Sequence, residues 1–383
     1  METYKFVFVA LTLLFFTSTS AAKHDNMTDL SALLAIKARV IEHDPGSSLS
    51  ANWTTDASFC TWMGVSCSRR RQRVTSLNIS DTQLYGTIPP HIANLSFLSE
   101  LVLSNDGLVG PLPESLARLP RLQYLQLDSN QLSGSIPLAF FNMSSLSELI
   151  LASNSITGTL PPNDTSFRPL FPEYLYVFEN QLTGSIPSSL FLAPTLRELS
   201  LAGNQLSGHI PPEIGNMKHL TLLYLGDNNL TGTIPSSLGN LTNLVDLSLS
   251  SNSFHGNIPE ELGRLTNLKR LQIGHCGGIT GSIPVSLSTM SSLRIMDLES
   301  NSLDGPVRLQ FGTMPLLISL LLPGNRLTGG LDFLASLSNC RALDFVEVRA
   351  NELDGILPNT VGNLSRNLAF FSIEQNHIKG KIP

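Results

Sequence analysis

Eight histidines could serve as bases or metal ligands: His24, His43, His91, His209, His219, His255, His275 and His377. Nucleophilic catalysis needs such a base beside a hydroxyl or thiol, and a metal centre needs several converging ligands. These histidines are scattered singly, with no Ser/His/Asp or metal-ligand spacing. His275 next to Cys276 comes nearest to a metal pair, and no further ligand clusters with it. Gly277-Gly278 follow without a Lys-Ser/Thr, so they are not a phosphate loop. H-R-D, D-F-G and a glycine-rich loop ahead of Val-Ala-x-Lys, the parts a kinase uses to transfer phosphate, are all missing from the chain. The reading is therefore of a chain with no catalytic residues, no metal and no cofactor. What remains is recognition, carried by tyrosines and carboxylates at alternate positions of short apolar segments.

The elements that carry them repeat. On the pattern L-x-x-L-x-L-x-x-N-x-L-x-G-x-I-P, units start at Val74, Leu98, Leu122, Leu146, Pro172, Leu196, Leu220, Leu244, Leu268, Leu293, Leu317, Leu343 and Leu368. Most spacings are 24 residues and the others 25 or 26, which is the leucine-rich-repeat signature. In the unit at Leu220, Leu223 and Leu225 point inward and Leu222 and Tyr224 outward along a short strand. Asn228 is placed to satisfy backbone groups in the turn, and Leu238 and Leu241 return to the core from the convex side. The expected fold is an α/β solenoid, a leucine-rich-repeat superhelix with a concave parallel β-sheet. Thr82, Asp106 and Cys276 replace the turn asparagine in three units, and an extra residue near Gly277-Gly278 implies a bulge.

Lys5, the apolar run Phe6–Phe16 and the small residues Ser18–Ala22 read as a signal peptide over residues 1–22, too short to anchor in a bilayer. Residues 23–73 read as an N-terminal cap. Its first part, Thr28–Ile41, places Leu30, Leu33, Leu34, Lys37 and Ile41 on one helical stripe, ended by Asp44-Pro45-Gly46. The cap also holds Trp53, Trp62 and the close pair Cys60 and Cys67, expected to form a disulfide in an oxidising compartment. Cys276 and Cys340, in different units and on different sides of the coil, are expected to be unpaired and buried. Repeats fill residues 74–383. The thirteenth stops at Pro383 without a cap, an expectation that the natural sequence continues or that this is a fragment. Nine N-x-[ST] sequons fit a glycosylated secretory chain: Asn26, Asn52, Asn78, Asn94, Asn142, Asn163, Asn229, Asn240 and Asn363. Asn94, Asn142, Asn240 and Asn363 share one register and should lie on the convex flank.

The net charge of −6, from 24 basic and 30 acidic residues, argues against a nucleic-acid surface. Arg69-Arg70-Arg71-Gln72-Arg73 is the one basic block, read as a solvated loop with a site for an anionic wall polymer as the alternative. Outward strand positions collect Tyr124, Tyr174, Tyr176, Phe178 and Tyr224, surrounded by Gln126, Asp128, Glu148, Glu179, Glu198, Asp227 and Asp246, with Arg270 further along. Aromatics with polar rims dominate binding hot spots, so these residues are the expected ligand site, for a ligand that is partly basic. The bland alternative is cross-strand packing on a solvated sheet.

The segment "LLAIKARV", Asn52-Trp53, "CTWMGVSC", "RVTSLNIS" and the repeated L-x-G-x-I-P resemble the ectodomain of plant leucine-rich-repeat receptor-like serine/threonine kinases, over roughly residues 24 to 383. "GTIPPHIANLSFL" and "DFLASLSNCRAL" are most similar to the immune-receptor subgroup. The resemblance implies an extracellular recognition module. It would bind a peptide or protein on the inner face and be joined by a leucine-rich-repeat co-receptor kinase. It further implies a parent with one membrane span and a kinase domain, at the plasma membrane and signalling in defence. A secreted inhibitor of a cell-wall-degrading enzyme, free in the apoplast, is the alternative; such proteins are shorter and end in a cysteine-bearing cap.

Overall fold

The computed structural model describes residues 27–38, 48–161, 170–193 and 195–382. The signal peptide, Ile41, the Asp44–Gly46 turn, Asn26, Asn163 and Pro383 lie outside the described residues. The chain forms two compact units, Met1–Thr157 and Gly158–Pro383. The boundary falls in the repeat that starts at Leu146, one of the two lengthened to 26 residues.

In the first unit a helix over residues 27–38 precedes a short antiparallel pair, Val65–Cys67 against Val74–Asn78. Parallel strands Glu100–Val102, Tyr124–Gln126 and Glu148–Ile150 follow in register. The helix buries Asp29, Ala32, Leu33 and Ile36, whereas Leu30, Leu34 and Lys37 are only half-buried. This corrects the expected stripe. The helix is turned so that Asp29, a residue that apolar periodicity ignores, faces inward to meet Arg73. Arg73 Nε and Nη2 donate to the two Asp29 carboxylate oxygens at 2.9 and 2.8 Å, and Val74 N donates to the same carboxylate at 2.9 Å. Trp53 and Trp62 stack with centroids 5.1 Å apart, each indole N–H on a backbone carbonyl. Cys60 and Cys67 are disulfide-bonded; Cys276 and Cys340, in the other unit, are free and buried.

The second unit is built from the 24-residue phrase. One set of parallel strands runs from Tyr174–Tyr176 through Glu198–Ser200, Leu222–Tyr224, Asp246–Ser248 and Arg270–Gln272 to Phe370–Ser372. A second, nine-stranded sheet among the described residues runs from Thr183–Ser185 to His377–Lys379. 3-10 helices such as Ser236–Asn240 complete most turns, and the α-helix Phe333–Leu337 completes one. In the unit at Leu220, Leu220, Leu223, Leu225, Leu230, Leu238 and Leu241 are all 0% exposed. Burial at that level is worth about 2 kcal/mol per leucine, so stacked repeats stabilise what one repeat cannot. Gly232 has φ +83°, and a Cβ there would sit 2.2 Å from His209 Nδ1, so both backbone angle and close approach require glycine.

The asparagines lock successive turns. Asn228 Nδ2 donates to the carbonyls of Leu201, Leu225 and Gly226 at 3.0, 3.2 and 3.0 Å, while its Oδ1 accepts from Leu206 N at 3.0 Å. The residue before it, Asp227, has φ 52°, and its counterparts Glu179, Ser251, His275 and Ser300 take similar values. Cys276, in the asparagine register, turns its Sγ toward the carbonyls of Leu249 and Gly274 at 3.7 and 3.5 Å. Burial pushes its thiol up to about 11, so it is an inert neutral filler. The extra residue there has a cost. Gly278 N folds back onto Cys276 O at 2.7 Å, and the buried Asn301 Oδ1 is left without a hydrogen bond among the described residues.

Asp106 is the other substitution with a consequence. Its Oδ1 accepts from Thr82 N at 2.8 Å, but its buried Oδ2, where the asparagine repeats have a donating amide, has no hydrogen bond among the described residues. Burial first, and the nearby Asp81 carboxylate least, raise its pKa to about 6, against the hydrogen bonds from Thr82 and Gln83. An acid whose folded pKa lies above its unfolded value of about 3.9 binds its proton more tightly in the native state. Its stabilising contribution is full below that unfolded value, declines as the pH rises to about 6, and is flat above. Asp106→Asn is expected to raise stability at pH 7.5 by roughly 1–2 kcal/mol and to flatten the melting temperature between pH 4 and 6. Melting curves of both proteins across that range check this.

Candidate binding face

Strand alternation decides which side chains are offered. Central residues such as Leu175, Leu199, Leu223, Leu247 and Leu271 are 0% exposed, so the flanking positions of each three-residue strand must face away from the core. In the second unit one row of these positions reads Tyr174, Glu198, Leu222, Asp246, Arg270 and Ile295, and the neighbouring row Tyr176, Ser200, Tyr224, Ser248, Gln272 and Asp297. Tyr174, Tyr176, Phe178, Glu198, Tyr224, Asp246 and Arg270 are half-buried, and Asp227 and Glu179 are exposed in their left-handed turns.

Hydrogen bonds run diagonally over this face. Tyr176 OH donates to Glu198 Oε2. Arg270 Nη1 donates to Tyr224 OH at 2.8 Å and lies 3.3 Å from Asp246 Oδ1. Burial and the Asp246 carboxylate push the Tyr224 phenol above its ordinary value, and Arg270 opposes them. The sequence expectation treated Asp246 and Arg270 as separate ligand contacts; the fold pairs them. Free negative charge on this face is therefore less than the residue count implies, and Asp227, with no ion pair among the described residues, carries more of it. The result is a row of phenols, those of Tyr176 and Tyr224 oriented by hydrogen bonds, rimmed by carboxylate oxygens. Such a surface can hold backbone amides and cationic side chains of an extended peptide.

The remaining expected residues belong to the first unit and are described there. Tyr124 OH donates to Gln126 Oε1 at 2.5 Å, and Gln126 Nε2 to Asp128 Oδ1 at 2.8 Å. Glu148 sits opposite Tyr124 in register. Burial, then Glu148, Glu100 and Asp128, raise the Tyr124 phenol pKa, which reports an acidic field.

Sequence reasoning missed one pair. Phe345 and Phe370 occupy equivalent outward positions of adjacent strands and stack at 4.3 Å with planes 10° apart. Both stand two residues after a unit start, the rule that located the tyrosines, so the signal was present. Glu347 takes Arg349 beside them. His275 pairs with Glu299 at 3.0 Å, and no cluster of three or more His, Cys, Asp or Glu able to hold a metal occurs among the described residues.

Of the sequons, Asn52, Asn78, Asn94, Asn142, Asn229, Asn240 and Asn363 are all exposed. Asn94, Asn142, Asn240 and Asn363 each close a 3-10 helix: Pro90–Asn94, Leu138–Asn142, Ser236–Asn240 and Asn359–Asn363. Asn78 ends a strand on the same face as Tyr124.

With its disulfide-closed N-terminal segment, parallel strands and asparagine-locked turns, the chain has the architecture of a capped leucine-rich-repeat protein. Residues 26–68 match the leucine rich repeat N-terminal domain, residues 188–311 a leucine-rich repeat region, and residues 73–95 and 121–143 single leucine rich repeats. The proteins it is similar to include plant leucine-rich-repeat receptor kinases and the polygalacturonase inhibitor of Pyrus communis, 34% identical over 122 residues, 31% of this chain and 36% of that protein. The LRR receptor-like serine/threonine-protein kinase EFR of Arabidopsis thaliana is 43% identical over 117 residues, 30% of this chain and 11% of that protein. Receptor kinase-like protein Xa21 of Oryza sativa subsp. japonica is 42% identical over 96 residues, 24% of this chain and 9% of that protein. The Arabidopsis receptor kinase HAESA, solved with the peptide hormone IDA and the co-receptor SERK1, superposes with a TM-score of 0.83 at 33% identity over 93% of this chain and 59% of that one. The matches thus span about a tenth of these two receptor kinases and over half of the solved HAESA chain. No described helix is long and apolar enough to cross a membrane.

Proposed function

We propose that this chain is the extracellular recognition module of a plant cell-surface receptor kinase, binding a peptide or protein ligand on its concave face to trigger signalling. The observation that carries this is the phenol row of Tyr174, Tyr176 and Tyr224 on an exposed parallel sheet, rimmed by Glu198 and Asp227. A solvated sheet needs no such concentration of aromatics, whereas a peptide-binding face does. The ligand is partly basic and lies along these strands. Tyr124, Gln126, Asp128 and Glu148 are a further contact set on the first unit. A leucine-rich-repeat co-receptor kinase joins the complex, as SERK1 does in the HAESA structure. Defence is the role that the immune-receptor resemblance favours. Catalysis is not assigned to this chain; a membrane span and a serine/threonine kinase domain belong to the parent by the same resemblance. Residues 1–22 direct secretion, residues 23–73 form the cap, and the exposed sequons carry glycans.

The test uses a randomised peptide library selected on the purified, secreted chain. The expected outcome is enrichment of Lys- and Arg-containing sequences, with binding weakened at least about tenfold when Tyr174, Tyr176 and Tyr224 are together replaced by Ala. Equal binding by a normally secreted triple variant rules the site out.

A further inference from the structure

Phe97 stands immediately before a repeat start, and the same register holds Arg73 one repeat earlier and Arg121 one later. The stacking brings both guanidinium groups to its ring. The central carbons of Arg121, Arg73 and Arg71 lie 4.1, 4.6 and 5.4 Å from the ring centroid. Arg73 is accounted for by its buried pair with Asp29 and its bond to Ser96 Oγ at 3.0 Å. Arg71 and Arg121 are exposed and have no acidic partner among the described residues; Arg69 and Arg70 are exposed beside them. Crowding like charges is unfavourable, and the ring quadrupole offsets only part of it. None of the outer four arginines meets a carboxylate among the described residues.

Their backbone is nevertheless fixed. Ser68 N donates to Arg73 O at 2.8 Å and Gln72 N to Ser68 O at 2.9 Å, closing the hairpin. Gln72 takes φ 52°, and its side chain donates to Arg69 O at 3.2 Å. The Cys60–Cys67 disulfide secures the hairpin's first strand. A fixed hairpin backbone, with Arg71 and Arg121 held over the Phe97 ring, keeps these cations close together for a partner that is itself an array of anions.

We propose that the surface formed by Arg69, Arg70, Arg71 and Arg121 around Phe97 binds a linear acidic polysaccharide of the polyuronate class. Each guanidinium can take a carboxylate through paired N–H donors, and a polymer with a carboxylate on every sugar presents such groups in series. The arginines lie in the open along a hairpin and a following turn rather than converging in a cleft, which suits a chain of charges over one phosphate or sulfate. An anionic membrane is the weaker fit. Surface insertion needs exposed apolar side chains beside the cations, and the one aromatic here is already flanked by guanidinium groups. The inference rests on the extracellular placement proposed above, where such polymers are met.

The experiment measures binding of the secreted chain to unesterified oligogalacturonates long enough to span the patch, at low and physiological salt. Binding is expected, and it weakens as salt rises. In the variant carrying Arg69→Gln, Arg70→Gln, Arg71→Gln and Arg121→Gln it should fall at least about tenfold. Arg73 is left intact so that the cap keeps its buried pair, and an Arg71→Gln, Arg121→Gln double variant serves if the quadruple is poorly secreted. Fully methyl-esterified oligomers, which lack the charge, should not bind. The quadruple variant should still bind the selected peptide, which separates a failure here from a failure of the concave-face reading. Unchanged affinity in the variants, equal binding of the esterified oligomer, or binding to anionic vesicles that oligogalacturonate cannot displace would overturn the proposal.

Discussion

Arg73→Met is expected to destabilise the first unit by about 3–5 kcal/mol. Both partners of the Asp29–Arg73 pair are buried, at 0% and 4% side-chain exposure, and joined by two hydrogen bonds. Removing the cation leaves an ionised carboxylate away from water with, among the described residues, only the Val74 amide, 2.9 Å away, still donating to it. The same change loses the bond to Ser96 and one cation over the Phe97 ring. Replacing both residues, Asp29→Asn with Arg73→Met, should recover a large part of the loss, because no buried charge then stands alone. Denaturant unfolding of the three proteins measures this. A loss under about 1 kcal/mol in the single variant would mean that the cap helix is not held by this pair.

Asn228→Ala is the second large effect, at about 3 kcal/mol or more. The truncation leaves the Leu206 amide without its asparagine acceptor in a dry turn. The Leu201, Leu225 and Gly226 carbonyls each lose one donor but keep another, from Asn204 Nδ2, Asn252 Nδ2 and Gly203 N at 3.0, 2.9 and 3.0 Å. The damage should therefore concentrate on the Leu206 side of the turn, and hydrogen exchange should report faster exchange at the Leu206 amide. Asn228→Asp should be worse at neutral pH, since a carboxylate would face carbonyl oxygens, whereas Asp106 has donors from Thr82 and Gln83. If Asn228→Ala costs no more than a surface substitution, the asparagines are not what joins adjacent repeats.

Much of this was legible in the residues. The period fixed the strand register, because a leucine misplaced by one position would face water, and the turn asparagine had one plausible use in a buried bend. Tyr174, Tyr176 and Tyr224 fell on the outer face by the same counting. The misses share a cause: they depend on contacts between distant residues that local periodicity does not encode. Asp29 had no place in the apolar stripe, and it is Arg73, 44 positions away, that meets it in the interior. Arg270 and Tyr224 meet across 46 positions on a diagonal, which a row-by-row reading of the face does not anticipate. The Arg69–Arg73 block read as one solvated loop because Arg121 and Phe97, which give it shape, arrive from later repeats. Phe345 and Phe370 were available to the counting rule but stood outside the acidic, tyrosine-rich stretch that drew attention.

The measurement closest to the central claim is hydroxyl-radical footprinting of the secreted chain, alone and with the peptide selected from the library. Tyrosine rings oxidise according to their exposure. The concave-face account requires Tyr174, Tyr176 and Tyr224 to lose reactivity when the peptide is bound, while Tyr85, 40% exposed in the first unit and outside its strands, stays unchanged. Protection confined to the 3-10 helices or to the nine-stranded second sheet, with the three tyrosines still reactive at saturation, would contradict it.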